Sequence, residues 1–131
     1  MKRTLILVLF IAAIASCSKK KDSTQNISGT WTVYKILKDG IDWTNTVPYS
    51  DTIRNYAITF SEGGTFLEKN YFPPDTDSVY IPGTWAFEDT YQKLVLQDTI
   101  YKKRTYYIFN LEGNHVELRR DGVNRYLRKK E

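Results

Sequence analysis

The chain contains a single cysteine, Cys17, and a single histidine, His115. One thiol cannot form an intrachain disulfide, so the fold must be held together by its core. Without a second thiol or imidazole, the sequence offers neither a His/Cys metal site nor a Cys–His nucleophile pair. We therefore expect no cofactor, no metal and no enzymatic activity, with His115 as an outward-facing strand residue.

Other chemical signatures are also missing. No glycine-rich phosphate-binding loop opens a helix, since Glu62-Gly63-Gly64 joins two candidate strands. Asp75 and Asp77 could offer oxygens to calcium, but the ligand series and terminal glutamate of a calcium-binding loop do not follow them. A carboxylate pair for glycoside hydrolysis meets in space and leaves no spacing in the sequence. A hydrolase therefore stays open as an alternative.

The first 16 residues have the layout of a secretory signal. Met1-Lys2-Arg3 is a basic start, the run from Leu5 to Ala15 is apolar, and small residues precede Cys17. The apolar run is much shorter than the about 20 residues that a membrane-spanning helix needs. Residues 1–16 are therefore predicted to be a cleaved signal peptide.

The segment Ile14-Ala15-Ser16-Cys17 resembles the lipobox of bacterial lipoproteins, an aliphatic residue and two small ones before a cysteine. The resemblance implies cleavage before Cys17 and acylation of its thiol, for example by palmitate, and of its new amino group. Two acyl chains hold a protein stably on a membrane, whereas one holds it marginally. We expect a lipid-anchored cell-envelope protein on the outer membrane, on its periplasmic or surface face. An ordinary signal peptide with a coincidental cysteine is the alternative.

Removal of the signal peptide changes the charge balance. Lysine and arginine fall from 19 to 17 because Lys2 and Arg3 are lost, so against 15 acidic residues the net charge drops from +4 to +2. Such a small charge gives no case for nucleic acid as a partner. Residues 17–27 carry almost no apolar side chain and are predicted to be a flexible tether between the lipid and the fold.

Residues 28–131 are predicted to form one domain with an all-β fold. Short runs rich in Thr, Val, Ile, Tyr, Phe and Trp alternate with Gly, Asp, Asn and Pro, which is typical of antiparallel strands and turns. No helical periodicity extends beyond a turn or two. Eight strands are predicted, at residues 30–37, 55–60, 65–71, 78–87, 93–97, 100–111, 115–120 and 125–129.

The predicted strands follow one another through short connections and so form a meander. A meander either leaves two open edges or closes into a barrel, and closure removes the exposed edges. We expect a small antiparallel eight-stranded up-and-down barrel, with a sandwich as the alternative. Pro82 in the fourth strand requires an edge position, a bulge or a later start of that strand.

A Gly-x-Trp motif opens the first strand as Gly29-Thr30-Trp31 and recurs as Gly83-Thr84-Trp85. A Gly-x-Trp at this place is the signature of lipocalins, and residues 28–130 resemble the small lipocalin-like (calycin-like) domains of Bacteroidota lipoproteins. The resemblance implies that Trp31 closes one end of the barrel and that Trp85 has a structural role. It also implies a basic residue near the last strand that packs over Trp31, for which Arg125 and Arg128 are the candidates.

The chain is rich in aromatic residues, with Tyr 10, Phe 6 and Trp 3. Part of this set builds the core, and the rest could line a ligand site or an interaction face. We expect any ligand to be small and apolar and to enter at the barrel end remote from Trp31, near Trp43, Tyr49 and Phe72. The alternatives are a lid over this end with no ligand beneath and an envelope protein–protein interaction module. A monomer is expected.

Replacing Cys17 by serine tests the predicted lipid anchor. The Cys17→Ser variant should lose labelling by an alkyne analogue of palmitate and should leave the membrane fraction, because the thiol that carries the lipid is gone. In-gel fluorescence of both proteins, expressed in the same cells, measures this. Continued uptake of label by the variant would contradict the assignment.

Overall fold

The computed structural model describes residues 26–47, 49–71 and 77–131. The predicted signal peptide, Cys17 and most of the predicted tether lie outside the described residues. No helix in the described ranges is long and apolar enough to span a membrane. The elements are, in chain order, β1 Gly29–Lys38, β2 Ile41–Asp42, α1 Tyr49–Asn55, β3 Ala57–Phe60, β4 Thr65–Tyr71, β5 Ser78–Glu88, β6 Lys93–Asp98, β7 Lys102–Glu112, β8 His115–Arg120 and β9 Val123–Lys129.

The strands form one antiparallel sheet that closes on itself. Neighbours follow chain order from β3 to β9, and β1 pairs with β3 through residues 29–31 and with β9 through residues 31–38. The two-residue strand β2 pairs with the end of β1. The remaining strands make a closed eight-stranded barrel, which confirms the predicted all-β, up-and-down architecture.

Alternate side chains of the strands point inward and fill the barrel. Ile27, which the sequence analysis assigns to the tether, is 1% exposed and belongs to this core. Tyr106 and Leu118 face inward from β7 and β8, as the predicted alternation requires. The buried core residues are Ile27, Trp31, Val33, Ile36, Ile58, Phe60, Phe66, Leu94, Leu96, Tyr106, Val116, Leu118 and Leu127.

Trp31 is fully buried near the start of β1. Its indole Nε1 donates a hydrogen bond to the carbonyl oxygen of Ile27 at 2.8 Å. The Nζ atom of Lys129 on β9 lies 5.7 Å from the indole centroid. The tryptophan therefore has both its apolar body and its polar N–H satisfied by neighbouring segments of the same barrel end.

The basic residue over Trp31 is Lys129, so the expectation of Arg125 or Arg128 is wrong. Trp31 and Lys129 are directly paired across β1 and β9. Arg128 is one residue away and points to the outer face, where its guanidinium lies over the ring of Tyr34. Arg125 lies further along β9, opposite Ile36, and is too distant in the register to reach Trp31.

The glycines of both Gly-x-Trp motifs allow close approach. Gly29 has a φ of +117°, and a Cβ there would lie 2.5 Å from Cε of Lys129. A Cβ at Gly83 would overlap the carbonyl oxygen of Gln97 and the ring of Phe66. Neither position accepts a larger side chain without displacing a neighbour.

The segment predicted as a loop between the first two strands contains β2 and the helix α1. The predicted second strand begins at Asn55, which is instead the last residue of α1. A helix of two turns is too short to display a repeated apolar face. Asp51 in its first turn and Arg54 in its last turn both complement the helix dipole.

Pro82 lies in an edge-like part of β5, as its chemistry requires. Residues 78–82 of β5 pair with β4, whereas the pairing with β6 begins at Gly83. At Pro82, β5 has β4 as its neighbour on one side and no paired strand on the other. The missing N–H of the proline therefore costs no hydrogen bond to β6.

Truncation of Trp31 should destabilise the barrel severely. Trp31→Ala removes a fully buried ring and should lower the free energy of unfolding by about 3–5 kcal/mol, which is comparable with the lower end of domain stabilities. Denaturant titration of the unlipidated mature chain measures the change. Tyr80→Ala is the matched control, since Tyr80 is 57% exposed and its loss should have little effect. Equal stability of the Trp31→Ala and Tyr80→Ala variants would overturn this assignment.

Candidate functional site

The barrel end remote from Trp31 carries the residues predicted as a ligand mouth. Trp43 and Tyr49 are in edge-to-face contact there, with ring centroids 6.2 Å apart. Tyr49 and Ile53 of α1 pack against the core, and the helix contacts β1 and β4. Phe72 lies outside the described residues. The two described mouth aromatics are thus brought together beside a helix that packs against the core.

Beneath this end lies a buried network of charged side chains that the sequence analysis missed. Glu68 of β4 is 1% exposed and Arg104 of β7 is 4% exposed. The Nη1 atom of Arg104 donates to both carboxylate oxygens of Glu68, at 3.0 and 3.1 Å. Its Nη2 atom donates to Oδ2 of Asp98 at 3.0 Å. One guanidinium therefore joins carboxylates from two other strands.

Two neutral donors also form hydrogen bonds to the carboxylate of Glu68. The hydroxyl of Tyr56 donates to Oε2 at 2.8 Å, and the amide of Asn70 donates to Oε1 at 2.7 Å. The ring of Tyr101 covers Arg104, with the guanidinium carbon 4.7 Å from its centroid. The Nε atom of Arg104 has no hydrogen-bond partner among the described residues.

Asp98 is held in its charged form by the turn that follows β6. The backbone N–H groups of Ile100 and Tyr101 donate to its Oδ1 atom at 2.7 and 2.6 Å. Burial opposes the charge, but these two hydrogen bonds and the guanidinium of Arg104 outweigh it and lower the pKa of Asp98. The turn therefore fixes one end of the network.

The partners of Glu68 remain protonated. Burial, followed by the nearby charge of Glu68, raises the pKa of Tyr56 well above its usual value. The hydroxyl accordingly stays a donor to the carboxylate. Burial disfavours the charge of Arg104, yet Tyr106 and Glu68 together raise its pKa. Since this cation already serves two carboxylates, the network is not set up to take an external anion.

The apolar interior between this network and Trp31 is almost fully packed. Within the described residues, the cavity there has a volume of about 10 Å³ and is bounded by side chains including Phe60, Leu96 and Tyr106. That is about the smallest space that can hold one water molecule. An eight-stranded barrel can be filled by side chains or can hold one small ligand. In the described part of this barrel, side chains fill the interior.

A larger concavity lies on the outer wall, over β7, β8, β9 and β1. Two β-bulges border it. Tyr34 is the extra residue of β1, between the pairs that Val33 and Lys35 make with β9. Phe109 is the extra residue of β7, between the pairs that Ile108 and Asn110 make with β8. Bulges bend and twist a strand and often occur beside binding sites, and here both insert an aromatic residue.

This concavity, which we call the outer groove, has a volume of about 380 Å³. Small-ligand sites typically have volumes of about 300–1,000 Å³. His115, the single histidine, is exposed and lines it, in agreement with its predicted outward orientation. The lining residues are Tyr34, Asn110, Glu112, His115, Val116, Glu117 and Tyr126.

The aromatic rings of the outer groove are held in fixed positions. The imidazole of His115 meets Tyr34 edge to face at 5.9 Å, and the ring of Tyr126 lies 6.3 Å from that of Tyr34. Arg128 stacks 4.7 Å from the Tyr34 centroid, and Lys35 lies 5.2 Å from the Tyr126 centroid. The rings of the groove are thus packed against one another and against two cationic side chains.

The floor of the outer groove is polar. Glu117 accepts a hydrogen bond from the amide of Asn124 at 2.8 Å. Partial burial, together with its hydrogen bond to Glu117, raises the pKa of Tyr126. The phenol therefore keeps its proton at neutral pH. No group of three or more His, Cys, Asp or Glu in the described ranges is placed to hold a metal ion.

The second Gly-x-Trp motif belongs to the core at the Trp31 end. Trp85 is half-buried, and its Nε1 atom donates to the carbonyl oxygen of Ser61 at 3.0 Å. Its ring lies between Phe60 and Phe87 in edge-to-face contacts at 5.8 and 5.4 Å. These contacts place Trp85 away from both the mouth aromatics and the outer groove.

Three solved structures from Bacteroides have a similar fold. A lipocalin-like protein from Bacteroides uniformis superposes with a TM-score of 0.59 at 13% identity, over 79% of this chain and 98% of that one. The present domain has a lipocalin-like fold. An uncharacterized protein from Bacteroides eggerthii gives 0.58 at 12% identity, over 80% and 100%. A DUF4847 family protein from Bacteroides vulgatus gives 0.56 at 17% identity, over 79% and 95%.

At these identities the likeness establishes the lipocalin-like fold and nothing about ligands. No protein-family model matches the chain, and no curated protein is significantly similar to it in sequence. The function of the lipocalin-like barrel therefore has to be argued from its own residues.

Removal of Glu68 tests whether the network holds the remote end together. Glu68→Leu leaves Arg104 with Asp98 as its one remaining carboxylate partner and leaves the donors of Tyr56 and Asn70 without their acceptor, and should lower the free energy of unfolding by about 3 kcal/mol. Glu88→Leu is the control, because Glu88 is an exposed carboxylate 3.9 Å from Lys103 and surface pairs contribute little. Denaturant unfolding of both variants measures the difference. If Glu68→Leu is as stable as the parent, the network has no structural role.

Proposed function

We propose that this protein is a lipid-anchored protein of the cell envelope, held to the membrane through Cys17, that binds its ligand in the outer groove of its lipocalin-like barrel. The observation that carries the proposal is the contrast between two spaces. The groove on the outer wall measures about 380 Å³, whereas the interior cavity measures about 10 Å³. Among the described residues, the space that could hold a ligand is therefore on the outside of the barrel.

The geometry disfavours a small apolar ligand inside the barrel. Such a ligand would have to enter past α1 and then displace packed core side chains. The remote end also contains the charged groups of Arg104, Glu68 and Asp98, and Arg104 is already hydrogen-bonded to both carboxylates. Burying apolar surface against those groups would leave polar atoms without partners, at a cost in free energy.

The anchor and the absence of catalysis remain predictions. Cys17 is assigned from the lipobox resemblance, and location in the outer membrane follows from it. The alternative of a protein–protein interaction module keeps the same surface, because the exposed Phe109 directly precedes the groove residue Asn110 on β7. No specific feature of the described residues favours a hydrolase.

Site-specific photo-crosslinking tests the proposal whatever the ligand is. Benzophenone-alanine replaces Phe109 beside the outer groove, or Tyr80 on β5 as the control, in the full-length lipidated chain. The two positions are matched, because their native side chains are 58% and 57% exposed. Irradiation of intact cells that produce the protein should yield a covalent adduct from position 109 and none from position 80, since benzophenone inserts into C–H bonds of any bound molecule.

Mass spectrometry of the purified chain identifies the adduct. Adducts of equal yield at both positions would indicate random encounters and would contradict the proposal. The same conclusion would follow if position 109 gave no adduct at all.

A further inference from the structure

We infer that the outer groove binds a neutral saccharide. This inference rests on the proposed function and adds the chemical class of the ligand. It follows from three properties of the groove: its aromatic wall, its polar floor and its balanced charge.

The aromatic wall is formed by Tyr34 and Tyr126. Tyr34 remains 38% exposed although Arg128 and His115 contact its ring. The face of an aromatic ring is negative because of its quadrupole, and one face of a sugar ring presents C–H bonds that carry partial positive charge. A half-exposed tyrosine on a rigid strand is therefore a suitable platform for a sugar ring.

The polar floor offers both acceptors and donors. Glu112 and Glu117 present carboxylate oxygens, and Asn110 and His115 present groups that can donate. The register explains their grouping, because Asn110 pairs with Glu117 and Glu112 pairs with His115 across β7 and β8. All four side chains thus point outward from two adjacent rows. A sugar hydroxyl both donates and accepts, so it can satisfy this mixed set, whereas an apolar ligand would leave it unpaired.

The charges around the groove favour a neutral ligand. Glu112 and Glu117 supply two negative charges, and Lys35 and Arg128 supply two positive charges on the rings of Tyr126 and Tyr34. An anionic ligand would be repelled by the two carboxylates, and a cationic ligand would be repelled by Lys35 and Arg128. With the charges balanced, hydrogen bonding and stacking remain as the sources of affinity.

The size of the groove fits a saccharide better than it fits a folded protein partner. A stable protein–protein interface buries at least about 1,000 Å² of total surface. A half-open concavity of about 380 Å³ with a mixed polar and apolar lining has instead the volume of a small-ligand site. A folded protein is therefore the outcome to be excluded by experiment.

Amide NMR spectra of the unlipidated mature chain test the inference. The probes are neutral hexasaccharides built from glucose, mannose, galactose or N-acetylglucosamine. At least one should cause saturable shifts at the groove positions of β7, β8, β9 and β1. Tyr34→Ala should weaken that binding about tenfold or more, the loss expected when an aromatic anchor is removed, and Tyr34→Phe should retain most of it.

The control variant is Tyr80→Ala, which makes the same truncation on β5 and should leave the affinity unchanged. Absence of saturable groove shifts with every neutral hexasaccharide would overturn the inference, as would shifts that map elsewhere. Titration with hexalysine and with a sulfated hexasaccharide distinguishes failure of the neutral-saccharide inference from failure of the proposed ligand site. Groove shifts with a charged probe alone would reject the neutral saccharide and keep the proposed function. Absence of any groove shift together with no crosslink from position 109 would reject both.

Discussion

The barrel depends on the first strand having two partners at once. At Trp31 the strand is paired on one side with Ile58 of β3 and on the other with Lys129 of β9. Residues 29–31 of β1 pair with β3, and residues 31–38 pair with β9. Trp31 therefore marks the point at which the sheet closes. A closed sheet has no free edge and a fixed internal width. Among the described residues, bulky side chains occupy that width.

The remote end of the barrel is organised by charge rather than by apolar packing. Arg104 is bonded to Glu68 and Asp98, and the turn after β6 donates two backbone N–H groups to Asp98. Buried ion pairs seldom add net stability over apolar residues of the same volume, but breaking one is costly. The network therefore joins β4 to β6 and β7, strands that are not all neighbours in the sheet, through contacts inside the barrel.

The alternation of apolar residues and the turn glycines predicted eight strands, and the liability of open sheet edges favoured a barrel over a sandwich. They could not predict α1, which is too short for a periodic signal, or Lys129, whose place over Trp31 follows from register. Glu68 and Arg104 occupy positions that alternate correctly with inward Phe66 and Tyr106, so strand parity could have revealed them. The outer groove was beyond prediction, because its two bulges depend on which residues pair across strands distant in the sequence.

Xenon binding tests directly whether the barrel interior is filled. An apolar cavity of sufficient size takes up xenon, and methyl NMR spectra recorded under xenon pressure report that uptake. The parent protein should show no saturable shifts of its interior methyl groups, because its cavity measures about 10 Å³. Leu96→Ala, which enlarges the same cavity, should show them and serves as the positive control. Saturable shifts of the interior methyl groups in the parent would contradict a filled barrel and would show that the interior has room for a ligand.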